Sequence, residues 1–142
     1  HVIETCVSMK RDIVKADEYD RGRRRLLNLG HSIGHAVEAC SDFSILHGQA
    51  VAIGMAVITR AAVAMGLCSE ETLASVLAVL QKYQLPVSTQ YPLDALYEAA
   101  MADKKLEGST MHLIVPEAVG QCRIEAIPAA ELKTWMRAGG IL

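Results

Sequence analysis

The sequence predicts a mainly α-helical domain carrying one small antiparallel β-hairpin. Apolar residues recur at three- and four-residue intervals through most of the chain, glycine, proline and serine fall between those stretches, and only residues 111–127 show strand-like runs about a turn. A chain of 142 residues suffices for one domain with a proper core and is too short for two comfortable ones, so a single domain over 1–142 is expected. Hydrophobic residues make up 51% and charged residues 21%, the composition of a folded protein and not of a disordered one.

Residues 2–15 set Val2, Ile3, Cys6, Met9, Ile13 and Val14 on one helical stripe, with Lys10 and Lys15 elsewhere on the surface. A charged loop over 17–25 follows. The next helix starts near Leu27 to Gly30, carries His31, His35 and Glu38 at helical spacing, and ends around Cys40 to Phe43. Beyond a turn at 41–44, residues 46–65 are apolar on all sides, which predicts a central helix buried all round. Gly66 suits its stop, whereas Gly48 and Gly54 permit close approach of another backbone or a ligand. Ser69 caps a helix whose first turn holds Glu70 and Glu71; it runs to about Tyr83 and stops before Pro86. Pro92 opens a short helix over 93–102. Asp103-Lys104-Lys105 then leads into the hairpin, with strands at 111–115 and 121–127 around a turn at 116–120. A last helix spans roughly 129–137.

The formal net charge of −2 leaves no global positive field for nucleic acid or an anionic membrane, and any anion must be caught locally. Cys6, Cys40, Cys68 and Cys122 lie far apart without a CxxC pair, which argues for reduced, mostly buried thiols in a cytoplasmic protein. No uninterrupted apolar run reaches the roughly 18 residues of a membrane span, and no signal-like segment opens the chain. The first residues, His1-Val2-Ile3-Glu4, already read as helix, so we expect a piece of a longer protein.

Three of the five histidines fall between residues 31 and 47, inside otherwise apolar helices. His31 and His35 are four apart and share a helix face. The intervening Ser-Ile-Gly does not fit the metalloprotease pattern, which places Glu directly after the first His. His47 opens the following helix, where an antiparallel pairing brings it back toward His31. Imidazoles on facing helices suit zinc, and a catalytic zinc needs about three protein ligands and one open position. His35 or a carboxylate supplies the third. The competing reading makes each histidine a hydrogen-bonded core residue, and His112, on a strand, keeps that reading. Arg24 and Asn28, four apart, together with Lys10 and the Lys104-Lys105 pair, offer donors for carboxylate or phosphate; solvated surface charge is their ordinary role.

The stretch Leu26-Leu27-Asn28-Leu29-Gly30-His31-Ser32-Ile33-Gly34-His35-Ala36-Val37-Glu38, with Leu46-His47-Gly48 and Ala50-Val51-Ala52-Ile53-Gly54-Met55, resembles the signature of 3-dehydroquinate synthases and their sugar-phosphate cyclase relatives. Lys10, Ala16-Asp17-Glu18 with Arg24, Asp103-Lys104-Lys105, Gly108 and Ile114-Val115-Pro116 extend the likeness over essentially the whole chain. The resemblance implies the helical C-terminal domain of a cytoplasmic, homodimeric, two-domain enzyme, whose N-terminal domain binds NAD and is absent from this chain. It matches His31 and His47 to two ligands of zinc (or cobalt), with a glutamate from the N-terminal part as third, and matches His35 to an acid-base residue. Lys10, Arg24, Asn28 and one of Lys104 or Lys105 match substrate-binding positions. Asp20 stands where the family has a glutamate, which puts its proton-transfer role in doubt, and Gln49 replaces the acid of the usual His-Gly-Glu.

The implied reaction is that of a carbon-oxygen lyase: 3-deoxy-arabino-heptulosonate 7-phosphate becomes 3-dehydroquinate and phosphate in the shikimate pathway of aromatic amino-acid biosynthesis. Transient oxidation by NAD, phosphate elimination, re-reduction, ring opening and aldol closure make up its steps. The isolated chain is expected to be inactive. The nearest alternative is a cyclase of the 2-deoxy-scyllo-inosose or aminodehydroquinate synthase type, separated by phosphate release from different sugar phosphates. A non-catalytic helical metal-binding module is the alternative from another class. It gains if the natural protein lacks a cofactor domain.

Overall fold

The computed structural model describes residues 1–17, 22–104 and 110–142, without the side chains of Asp103 and Lys104. Six α-helices and a two-stranded antiparallel sheet follow one another: α1 Val2–Ala16, a 3-10 helix Arg23–Asn28, α2 His31–Cys40, α3 His47–Ala64, α4 Glu70–Lys82, α5 Leu93–Lys104, β1 Thr110–Ala118, β2 Gln121–Pro128, a 3-10 turn Ala129–Glu131 and α6 Leu132–Ala138. The mainly helical class with one hairpin is thus the observed one.

The centre of the fold is α3, which packs on α2, α4, α6 and β1. Ile53, Val57, Ile58, Ala61 and Ala62 from α3 join Ile33 and Val37 from α2, Leu96 from α5, Leu113 and Val115 from β1, and Leu132, Trp135 and Met136 from α6 in one apolar core. A smaller cluster of Ala52, Ala56 and Leu80 seats α4 on another side of α3. The expectation that α3 is buried all round needs one correction: Val51, Met55 and Arg60 are half-buried, and His47 and Gly48 are exposed. Its buried polar residue, Thr59, donates its hydroxyl to the Met55 carbonyl one turn back, at 2.7 Å, so that this hydroxyl is paired within the helix.

α2 and α3 form an antiparallel pair whose backbones nearly touch. Gly30 has φ +79°, a left-handed conformation that disfavours side chains, and a Cβ there would lie 2.6 Å from the Met55 nitrogen and 2.7 Å from the Val51 oxygen. A Cβ on Gly54 would overlap the Gly30 carbonyl. Gly54 therefore permits the close approach expected of it, whereas Gly48 faces open space. This contact sets the distance between the two helices that carry the histidines.

Four further boundaries or burials differ from the sequence reading. The segment before α2 is a separate 3-10 helix over Arg23–Asn28, because Gly30 in the left-handed region breaks the path from Asn28 into α2. The strands run further than expected: β1 continues through Pro116 to Ala118 with an irregular register between those residues, so the hairpin turn contracts to Val119-Gly120. α1 forms with the expected apolar stripe but buries none of its residues; Val2, Ile3, Val7 and Met9 are all exposed. Of the four cysteines, all free, Cys6 is exposed and the others half-buried, so none is a core thiol. The Ser69 cap is as expected, its hydroxyl accepting from the Thr72 amide at 3.1 Å. Among the described residues α3 is long and apolar enough to cross a membrane, yet it is the helix around which this core is built.

The close contact makes a specific demand. Gly54→Ala should destabilise the fold by about 3 kcal/mol or more, since backbone cannot yield as a side chain can. Leu96→Ala, which empties a fully buried position, should cost about 2–5 kcal/mol. Urea unfolding followed by circular dichroism measures both.

Candidate metal and active site

The antiparallel pair brings the N-terminal turn of α3 against α2, and three imidazoles converge there. Ring centroids lie 5.2 Å apart for His31 and His47, 5.7 Å for His31 and His35, and 5.8 Å for His35 and His47. Two of the rings are already oriented by acceptors. His31 directs Nδ1 at the Leu29 carbonyl, 3.3 Å away. His47 directs Nδ1 at the Glu38 carboxylate, 3.0 Å away. A carbonyl and a carboxylate accept hydrogen bonds, so each Nδ1 carries a proton, and in the neutral ring Nε2 is the lone-pair nitrogen.

Partial burial pushes the His31 pKa below the usual histidine value, the neighbouring imidazoles push the same way, and the bond to Leu29 only partly opposes them. A neutral imidazole is the form that binds a metal ion. Two rings bound through Nε2 at about 2.0–2.1 Å to one tetrahedral ion have centroids roughly 5 Å apart, a separation that His31 and His47 meet. A second donor set overlaps this one: one ligand atom each of His35, Glu38 and His47 lies within 4.8 Å of the others. That set uses the Glu38 carboxylate, which the His47 Nδ1 already engages. The donors present fit zinc or a similar ion, with His47 common to both sets.

His31 and His35 line a cleft of about 520 Å³, and the His47 ring stands beside them outside that lining. His31, Ser32, His35 and Glu38 of α2 form one wall, Arg25 and Asn28 of the 3-10 helix contribute a second, and Thr110, Met111 and His112 of β1 a third. Asn28 is where the sequence reading placed it. Arg24 is not in the lining; its backbone amide donates to the Asp17 carboxylate at 3.1 Å. The physical reason is the helix type: a 3-10 helix repeats every three residues, so Arg25 shares a face with Asn28 and Arg24 does not. His112, read from sequence as an ordinary strand residue, lines the same cleft. Only the packing of β1 reveals this, although an exposed histidine beside buried Met111 and Leu113 is a local sign of a strand with one polar face. Lys10 is exposed on α1 and outside the lining. Asp20 and Lys105 lie outside the described residues; Lys104 ends α5 and its side chain is likewise outside them.

The family model for the 3-dehydroquinate synthase C-terminal region matches residues 1–106, which include every histidine of the cluster. The chain belongs to that family. It is 39% identical to the 3-dehydroquinate synthase of Enterococcus faecalis (strain ATCC 47077 / OG1RF) over 143 aligned positions, covering 99% of this chain and 40% of the relative. The same enzyme of Streptococcus suis (strain 05ZYH33) is 39% identical over 139 positions, covering 96% of this chain and 39% of the relative. The chain therefore spans about two-fifths of the curated relatives it matches. Two solved structures share the fold. One is 2-deoxy-scyllo-inosose synthase complexed with carbaglucose-6-phosphate, NAD+ and Co2+, with a TM-score of 0.79 at 25% identity over 95% of this chain and 39% of that one. The other is the 2-epi-5-epi-valiolone synthase ValA of Streptomyces hygroscopicus subsp. jinggangensis 5008 with NAD+ and Zn2+ bound, with a TM-score of 0.80 at 26% identity over 97% and 39% respectively.

The lowered pKa of His31 is directly measurable. Its Cε1 proton should titrate by NMR with a midpoint below the ordinary value of about 6.5. The unfolded chain binds the proton more readily than the folded one in that window. Stability is therefore lost as pH falls from about 6.5 toward the folded-state pKa, and His31→Gln should lessen this loss.

Proposed function

We propose that this chain is the metal- and substrate-binding domain of a 3-dehydroquinate synthase, a cyclase that eliminates phosphate from a seven-carbon keto-acid sugar phosphate and closes the carbocycle. The observation that carries the reading is the convergence of His31, His35 and His47 beside a cleft that His31 and His35 line together with Asn28 and Arg25. Relatives of that name match nearly the whole chain, which supports this substrate over those of the other cyclases. NAD is held mainly by the remainder of the full-length protein. A glutamate from that remainder completes the zinc site, and the assembled enzyme is a cytoplasmic homodimer, as the resemblance implies.

In this reading His31 and His47 hold zinc through Nε2. Zinc held there would supply Lewis-acid chemistry, lowering the pKa of a coordinated substrate hydroxyl. His35, one helical turn from His31, moves protons among the substrate oxygens at the cleft wall. Asn28 and Arg24 with Lys10, and a lysine from the 104–105 pair, bind the carboxylate and phosphate; their contribution is orientation, which turns several successive steps into reactions of one held molecule. Asp20 takes the position of the family's acidic partner with a shorter reach. Arg25 adds positive charge on the wall shared with Asn28. Ser32, Met111 and Thr110 close the cleft around the ring.

A second reading has one specific support: the two structural neighbours act in the wider cyclase class and share the domain at 25–26% identity. Phosphate release measured with the keto-acid heptulosonate phosphate and with sugar phosphates lacking a carboxylate separates the readings, and release from the latter in preference to the keto acid sinks the synthase assignment. In the full-length protein His47→Ala should lose its zinc by elemental analysis and at least about a hundredfold in kcat/KM, as removal of a direct ligand requires. Undiminished zinc removes His47 from the ligand set. The 142-residue chain alone should turn over no substrate.

A further inference from the structure

We propose that Glu38 is a positioning residue for the metal site: its carboxylate holds the His47 imidazole in the tautomer and orientation that leave the Nε2 lone pair for a metal ion. The proposal rests on the zinc reading above and goes beyond it, because it assigns Glu38 a role outside the ligand set. Four observations support it. The Glu38 Oε1 atom is 3.0 Å from His47 Nδ1. The carboxylate side chain is 14% exposed and the imidazole 55%, so the ring is the movable partner and the carboxylate the fixed one. The Glu38 backbone is itself pinned: its carbonyl accepts from the Ser41 hydroxyl at 2.8 Å and from the Phe43 amide at 2.9 Å, within the turn that delivers the chain to His47. Finally, His31 is arranged alike, its Nδ1 facing the Leu29 carbonyl, so both rings that match zinc ligands turn Nδ1 to a protein acceptor.

A ring free to rotate presents either nitrogen, and either tautomer, to a metal ion. A carboxylate on Nδ1–H selects one tautomer, removes the rotational freedom and makes Nε2 the more basic donor. Glu38 is three residues after His35 on the same helix face, so α2 supplies the proton carrier and the anchor of a ligand on α3 together. The competing arrangement makes Glu38 a direct ligand beside His35 and His47. The two make different demands: an anchor needs only an acceptor, whereas a ligand needs the carboxylate itself.

Co2+ titration of the full-length protein, followed by its visible absorption, and nitrogen-correlated NMR of metal-free 142-residue chain test the proposal together. Wild type should show His47 protonated on Nδ1. Glu38→Ala should weaken Co2+ binding roughly ten- to hundredfold and release the tautomer, while Glu38→Gln, whose amide oxygen still accepts, should stay within a few-fold of wild type. Cobalt binding by Glu38→Ala equal to wild type, or a His47 protonated on Nε2, overturns the role of Glu38. An equal and large loss in Glu38→Gln and Glu38→Ala, accompanied by loss in His35→Ala, overturns it in favour of direct ligation. Wild type that takes up no Co2+ overturns the metal reading instead, and the tautomer still decides whether Glu38 holds His47. Thermal melts of each variant separate these losses from unfolding.

Discussion

The contact on which the rest depends is the near-touching of two backbones where Gly30 meets Gly54. No side chain fits on either glycine, so α2 and α3 approach more closely than ordinary helices, whose axes stay about 8–10 Å apart according to the side chains between them. Three consequences follow from that short distance. His47 at the start of α3 comes within hydrogen-bond reach of Glu38 near the end of α2. The rings of His31 and His35 gather around it. The remaining faces of α3 stay available for the core, where α3 packs on β1, α4 and α6. One geometric constraint thus sets both the seam of the domain and the spacing of its chemistry.

The site divides its tasks between helix types. α2 has an α-helical period, so His31, His35 and Glu38 line up along one face. The segment just before it is a 3-10 helix, whose period of three turns Arg25 and Asn28 to the cleft. Gly30 separates the two periods, and its left-handed backbone is the switch between them. A loss of that glycine's conformation therefore reaches both the imidazoles and the polar wall. The exposed apolar stripe of α1 takes no part in this core, and the cleft is built without it.

Electrostatics at the site favours a neutral His31, and the hydrogen bonds define the tautomers of His31 and His47. Burial of His31 disfavours its charged form, and protein acceptors at Nδ1 of His31 and His47 leave the Nε2 atoms as lone-pair donors. Such an arrangement is of little use to a purely structural histidine, which gains as much from either nitrogen. It suits a site that must be ready for a cation before the cation arrives.

The sequence by itself determined the helical class, the order of the elements, the Ser69 cap and the three candidate imidazoles, because periodicity, capping and breaker residues act over a few neighbours and are written locally. Its motif also determined the family, since His31, His35, His47 and the surrounding glycines stand at fixed spacing. Only the tertiary structure decided which residues meet. His112 entered the cleft because β1 packs on α3 and on the 3-10 helix, a relation between segments far apart in the chain. Arg25 entered the cleft wall beside Asn28 because the local helix is 3-10, with Gly30 in the left-handed region at its end. Glu38 found His47 because two glycines let two helices close together. Contacts across such distances depend on how faces fit, and a linear pattern does not contain that fit.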